Sequence, residues 1–397
     1  MASFEPFQGI RYDPDAVDLT AVVAPPYDVI DEAEREVLGA RHPANVTHVD
    51  LPRDEPGEGR YEVAARTFRE WRDRGPLLTD PEPSFYGYRM GYHDEAGRPR
   101  QTSGFIGALG LDPAAEPAVL PHEETTPKAR SDRLQLMQAC RADLSPIWAL
   151  SPTEGLGALA ETAEPPLARW TDDQGVHHRL WRVTRPAVVE AISSAVEAAP
   201  VLVADGHHRY RTALTYREER RAAEGPGPWD SLMTYVVELA EDQLEVRPIH
   251  RLLRGLPDDV DLPGALERWF EVAEAGAFDA EIVERLVDEG ALGLVVPGGR
   301  YLLRPRPELL AAAVDLDSSR LDVALADLGD HELTFHHDLA EVQRLVETGS
   351  AQAGVLLRPA TVAQIAETAH GGRLMPTKTT YFHPKPTTGV VFRSLEA

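Results

Sequence analysis

The segment Val201-Leu202-Val203-Ala204-Asp205-Gly206-His207-His208-Arg209-Tyr210-Arg211-Thr212-Ala213-Leu214 constrains this chain more than any other. Val201 to Ala204 is a short apolar run rich in β-branched residues, which suits a strand buried on both faces. Asp205-Gly206 interrupts it, and from His207 onward the pattern reads as helical, with Ala213, Leu214 and Arg217 at workable spacing. A strand that turns through glycine into a helix leaves the first N–H groups of that helix aimed at open space, which makes an anion site before any side chain is counted. The side chains strengthen it. His207, His208, Arg209 and Arg211 crowd the first turn, and Asp205 stands at the hinge, where a cap is the bland alternative. The pattern points to a phosphate or carboxylate ligand.

At 397 residues the chain is long enough for two or three domains. The expected boundaries are 1–150, 151–255 and 256–397, the middle region carrying the Asp205–Arg209 turn. A formal net charge of −25 argues against a nucleic-acid surface, because neutralising phosphates needs a basic face. No apolar run approaches the roughly 18 residues of a membrane span, and the N-terminus lacks the basic start and apolar stretch of a signal peptide. The one cysteine, Cys140, allows no intramolecular disulfide and lies on an apolar helical stripe with Leu134, Met137 and Leu144. A reducing, cytoplasmic setting and a small-molecule partner are expected, with no membrane or nucleic acid. Nothing in the pattern specifies an oligomeric state.

Of 40 basic residues only Lys128, Lys378 and Lys385 are lysine. A background so biased toward arginine keeps lysine where a compact ammonium on a flexible stem does what guanidinium cannot. All three lie in dense polar blocks. Lys128 belongs to His122-Glu123-Glu124-Thr125-Thr126-Pro127-Lys128-Ala129-Arg130-Ser131-Asp132-Arg133, which precedes a helix for which Ser131 is a candidate N-cap. Lys378 and Lys385 belong to Met375-Pro376-Thr377-Lys378-Thr379-Thr380-Tyr381-Phe382-His383-Pro384-Lys385-Pro386. Lys378 is expected at the site, in a loop that packs back on the body, whereas Lys385, between two prolines, is expected to be structural. A further block, Pro25-Pro26-Tyr27-Asp28, is a rigid extended turn ahead of a helix capped by Asp31. Elsewhere strands and helices alternate, with a hairpin from Leu292 to Leu303 turning at Pro297-Gly298-Gly299. The expected class is α+β, with mixed sheets and helices.

Taken together, Pro26-Tyr27-Asp28-Val29-Ile30, His122-Glu123 with Lys128 and Asp132-Arg133, Asp205-Gly206-His207-His208-Arg209-Tyr210, His250-Arg251, His337-Asp338, and Met375-Pro376-Thr377-Lys378 with Tyr381-Phe382 and Pro384-Lys385 resemble the domain of unknown function 1015 family. The resemblance covers nearly the whole chain. Thr377 and Thr379 stand where a Gln-Lys-Ser pattern is expected, a conservative departure. A second, local resemblance spans about fifteen residues: Asp205-Gly206-His207-His208-Arg209 is similar to the strand–glycine–helix box of the ParB/sulfiredoxin-like superfamily. That box implies nucleotide phosphate binding, with ATP or ADP as cofactor, as in ParB-like free serine kinases.

A phosphotransferase acting on a small hydroxylated metabolite, serine by that analogy, is the leading expectation. The chemistry needs phosphate oxygens held by N–H groups and cations, Mg²⁺ on a carboxylate, and a base near the acceptor hydroxyl. Gly206, His207, His208, Arg209, Lys128 and Arg133 are the candidate phosphate-binding residues. Lys378 joins the catalytic group with Asp28, Glu123 or Asp205, one of which serves as base and with Asp205 or Glu123 as the Mg²⁺ ligand. Tyr27, His122, Asp132, His250, His337 and Tyr381 are further pocket candidates. A phosphatase or nucleotide hydrolase, or a non-catalytic nucleotide-binding regulator, would use the same anion site. A metal hydrolase is disfavoured, since the histidines show no HExxH or comparable spacing.

Overall fold

The computed structural model describes residues 2–94, 97–111, 118–121, 127–160, 165–257, 259–279, 281–370, 375–376 and 378–396; the side chains of residues 121, 127–130, 369 and 370 lie outside the description. The fold is mixed α+β and divides into two compact units. One comprises Met1–Glu245 with Pro384–Ala397, and the other Val246–His383.

The first unit is built on a nine-stranded sheet. Its strands lie side by side in the order Val119–Pro121, Val201–Asp205, Ile147–Ser151, Ser231–Glu238, Pro99–Gly110, Phe85–His93, His177–Val183 and Ala168–Thr171, with Phe4–Glu5 pairing at one end of Pro99–Gly110. Pairing is parallel between Val201–Asp205 and Val119–Pro121 and between Ile147–Ser151 and Ser231–Glu238, and antiparallel elsewhere. Val201–Asp205, next to one edge of the sheet, reads as an unbroken apolar run because it is paired on both sides and covered on its faces. Its core partners include Ile147, Ala149, Ile192, Val196, Ala213 and Val236. Helix Pro186–Glu197 leads into this strand and helix His207–Glu224 leads out of it.

The three expected regions are replaced by two units. Ile147–Ser151 sits between Val201–Asp205 and Ser231–Glu238, so a cut at residue 150 would leave ladder hydrogen bonds unmade on three strands. The chain after Pro384 belongs to the first unit, where Phe392–Ser394 pairs with Gly9–Tyr12 and Ala142–Asp143. The helix expected to start near Ser131 begins earlier, at Pro127, and runs to Cys140. Pro is well suited to that first position, where its missing N–H has no intrahelical partner to lose. Burial pushes the Cys140 thiol up to about 12, so it is a packed group and not a nucleophile.

The second unit is a six-stranded antiparallel sheet in the order Phe270–Glu274, Gly299–Pro305, Leu292–Val296, Ala353–Leu356, His250–Arg254 and Glu332–His336. Successive side chains on a strand point to opposite faces, and here each face has its own core. Leu253, Leu294, Leu303 and Val355 face one cluster, while Leu252, Val295, Leu302 and Leu356 face the other. The hairpin turn closes with Val296 opposite Gly299. Among the described residues no helix is long and apolar enough to cross a membrane, and no group of three or more His, Cys, Asp or Glu is placed to hold a metal ion.

Candidate functional site

The site begins at the end of the strand Val201–Asp205. Val203 pairs with Ala149 but Asp205 pairs with Trp148, so Ala204 is an extra residue and the ladder bulges. A bulge re-aims the side chain that follows it. Gly206 then adopts φ +94°, and a Cβ placed there would sit 2.8 Å from Ile147 Cγ2, so both conformation and space require glycine. The 18-residue helix His207–Glu224 starts at once, and no side chain caps it.

Arg209, one turn into that helix, folds back. It donates from Nη2 to Asp205 Oδ2 at 2.8 Å, and from Nη1 to Pro146 O at 2.6 Å and Ser145 Oγ at 3.0 Å. Its Nε is buried with no hydrogen-bond partner among the described residues. Lys385 donates from Nζ to Asp205 Oδ1 at 2.6 Å and to Asp28 Oδ2 at 3.1 Å. Three distant stretches of chain therefore meet on one carboxylate. The Lys385 side chain is 12% exposed, Asp205 16% and Arg209 11%. Burial alone would raise the Asp205 pKa, but Lys385 and then Arg209 hold the carboxyl far below its usual range. Burial likewise opposes charge on Lys385, and the facing Asp205 and Asp28 raise its pKa instead. Both groups stay ionised.

The segment carrying Lys385 is tied down just beyond it. Ala24 and Thr388 exchange N–H···O bonds of 3.2 and 2.8 Å, and Thr387 N donates to Tyr88 Oη at 3.3 Å. The same bridge orients the Pro25-Pro26 turn, so Asp28 and Lys385 are delivered by adjacent chains. Tyr27 packs under Arg133, whose guanidinium carbon lies 4.2 Å from the ring centre. Arg133 donates to Asp50 O and Oδ1 at 2.9 and 3.0 Å, and to Asp132 Oδ2 from Nε and Nη2 at 2.9 and 2.7 Å. Burial raises the Tyr27 pKa against the pull of Arg209 and Arg133, so its phenol stays protonated. Arg133, its Nε and both terminal nitrogens engaged, therefore organises the wall. A cavity of about 40 Å³ opens here, lined by Tyr27, Arg133, Arg209 and Ser145 with Leu136, Met137, Leu144 and Leu232.

The candidates from sequence divide accordingly. Asp28, Asp205, Gly206, Arg209, Tyr27, Asp132 and Arg133 lie in the first unit, in the turn and the wall just described. His207 is buried and His208 half-buried on the first turn of the helix. His122 and Glu123 fall outside the described residues, as does the side chain of Lys128, which sits in the first turn of helix Pro127–Cys140. His250, His337, Lys378 and Tyr381 belong to the second unit. There Lys378 is exposed at φ +59°, and its carbonyl accepts from Arg251 Nη2 at 2.9 Å. His250 is buried and accepts from Leu357 N, and burial followed by Arg251 lowers its pKa to about 4. His337 stacks on Tyr381 at 4.5 Å. The lysine on Asp205 is thus Lys385, the one expected to be structural. Its signal was already present in the three-lysine count. As for Mg²⁺, both Asp205 oxygens are bound by cations, so this carboxylate does not fit as a metal ligand.

The molecule is a mixed α+β protein with a charged strand–glycine–helix turn buried in its larger unit. It belongs to the family described as protein of unknown function (DUF1015), whose profile matches residues 4–324. Among solved structures it is similar to a free serine kinase in complex with AMP, with 14% identity, 67% of this chain and 83% of that one covered, and a TM-score of 0.37. It is also similar to a conserved hypothetical protein from Pyrococcus furiosus (13%, 67% and 87%, TM-score 0.35). SbnI from Staphylococcus aureus, with a C-terminal truncation, gives 12%, 68% and 81%, and 0.37. Among curated proteins none matches the chain.

Proposed function

We propose that the chain is a nucleotide-dependent phosphotransferase acting on a small hydroxylated metabolite, with serine the first acceptor to test. The observation that carries this reading is the pair of cations, Lys385 and Arg209, gathered on Asp205 at the uncapped start of a long helix. A helix start with two buried cations suits the oxygens of a phosphate. The buried Arg209 Nε adds a donor without a described acceptor. Asp205 is held too acidic to accept a proton well and acts as the positioning residue for both cations. Asp28, the more exposed carboxylate on Lys385, is the better base. In the step, the acceptor oxygen bonds to the terminal phosphorus of ATP or ADP as the bond from that phosphorus to its bridging oxygen breaks. The nucleotide leaves with the electron pair, and the acceptor proton passes to Asp28.

The test is incubation with ATP or ADP, Mg²⁺ and serine, followed by phosphorus NMR for O-phosphoserine. Product that disappears in a folded Arg209→Ala variant supports the reading. Steady nucleotide consumption without any acceptor would replace it with a hydrolase. Stable nucleotide binding without turnover over hours would replace it with a regulator.

A further inference from the structure

The second unit holds a cavity of about 170 Å³ that none of the chemistry above uses. It lies where the strand Ala353–Leu356 runs out and two helices, Asp317–Leu325 and Val362–His370, begin. Crevices at the ends of sheet strands are common ligand sites. A dry cavity of about 150 Å³ holds benzene, so this one accommodates a ligand of about six non-hydrogen atoms.

The polar accounting on its walls selects the ligand. Asp317 Oδ2 accepts from Arg358 N at 3.0 Å and Nε at 2.9 Å. Asp317 Oδ1 accepts from Arg358 Nη2 at 2.5 Å and Arg320 Nη1 at 3.0 Å. A carboxylate has about four lone-pair sites, so Asp317 is saturated and has nothing to offer a ligand cation. Arg358 is the opposite case. Its Nη1 donates to no described residue, and its side chain is 21% exposed. The Thr379 hydroxyl donates to Pro376 O at 2.7 Å, which leaves Ser318 to donate across the 2.8 Å contact between the two hydroxyls. Neither hydroxyl hydrogen is then available to the cavity, and Arg358 Nη1 is an uncommitted cationic donor on its lining. Ile249, Leu316 and Leu357 make the other wall apolar. Asp315 and Asp317 already balance Arg320 and Arg358, so each added negative charge costs free energy and a dianion is disfavoured more strongly than a monoanion.

We propose that this cavity is a binding site for a small monocarboxylate with a short apolar arm, its carboxylate on Arg358 Nη1 and its arm against Ile249 and Leu357. The site does not depend on phosphate transfer in the first unit. It is tested on the full chain by saturation-transfer NMR and calorimetry with isobutyrate, its neutral counterpart isobutyramide, and inorganic phosphate. Isobutyrate is expected to bind saturably, at least about ten-fold more tightly than isobutyramide, with phosphate no competitor. Val287 lines the cavity yet is 50% exposed, so Val287→Trp obstructs the rim from the outside and is expected to weaken isobutyrate about ten-fold or more without unfolding the protein. Should that variant melt early, Val287→Glu provides the same test through charge, again weakening isobutyrate. The proposal is overturned by absence of saturable binding, by equal affinity for acid and amide, by phosphate competing as well as isobutyrate, or by unchanged affinity in a folded rim variant.

Discussion

Each unit buries an aspartate clamped by two cations, and the two clamps are built differently. Asp317 is held by Arg320 and Arg358, two guanidinium forks from residues 3 and 41 positions away. Asp205 is held by Arg209 from the next helical turn and by Lys385 from 180 positions away. A fork fixed by two parallel bonds is a scaffold, because moving it breaks both bonds together. An ammonium shared between Asp205 and Asp28 is a point charge on a flexible stem, and it can exchange a carboxylate for a phosphate oxygen at less cost. In a chain with 37 arginines and three lysines, the lysine at the second clamp is the feature on which the proposed phosphate transfer rests.

The largest expected effect breaks that second clamp. Lys385→Met leaves Asp205 and Asp28 facing each other with one cation fewer, and removing one partner of a buried pair costs about 3–5 kcal/mol. Urea unfolding should show that loss, and phosphate transfer should vanish with it. Lys385→Arg should keep much of the stability and still lose on the order of 10²-fold in rate, since a misplacement near 1 Å costs that much. Lys378→Ala, at an exposed residue of the other unit, should stay within about 0.5 kcal/mol of the parent. A silent Lys385→Met would show that the two clamps do not differ.

Acid acts on both units. His250 is buried with its folded pKa lowered from 6.5 to about 4. Between those values the unfolded chain binds the extra proton, so stability is full above about pH 6.5 and falls as pH drops toward 4. A shift of this size is worth roughly 3 kcal/mol. Asp205 has its folded pKa depressed, so its contribution is present above the ordinary carboxylate value near 3.9 and is lost only below it. Burial lowers the His178 pKa in the first unit as well, so hydrogen exchange at pH 7 and pH 5 should show both units loosening, and His250→Gln should remove that pH dependence from the second unit alone. An unchanged pH dependence of the second unit in the folded His250→Gln variant would refute the assignment.

Glycine substitution sharpens the contrast further. Gly206→Ala meets both a positive φ and Ile147, and should cost about 1–3 kcal/mol with loss of nucleotide binding. Gly290→Ala also has positive φ, at +61°, but the new methyl would lie 3.8 Å from Arg358 Nη1, an ordinary contact, so it should cost only about 1 kcal/mol. Of similar size is the effect of Thr361→Ala. Thr361 Oγ1 accepts from Gln364 N at 3.2 Å and the Gln364 amide oxygen accepts from Thr361 N at 2.9 Å, a capping box worth about 1 kcal/mol by thermal unfolding.

Local pattern was enough for much of this molecule. The strand, glycine and helix around Gly206, the hairpin with Val296 opposite Gly299, and the caps at Asp31 and Thr361 all follow from residues within a few positions of each other. Their physical determinants are φ preference, apolar period and side-chain acceptors, which act over one turn. What tertiary structure alone decided is which distant pieces meet. The bulge that aims Asp205 depends on its pairing with Trp148, and the two-unit division depends on Ile147–Ser151 entering the sheet between later strands. The choice of Lys385 over Lys378 depends on the last fourteen residues returning to the first unit, held there by Ala24–Thr388 and by the pairing of Phe392–Ser394. Composition marked both lysines equally, because charge and spacing say nothing about the path of a chain between them. Burial of Phe392, Val391 and Leu395 in the first unit settles that path, and it carries one lysine to the carboxylates while leaving the other on the second unit's surface.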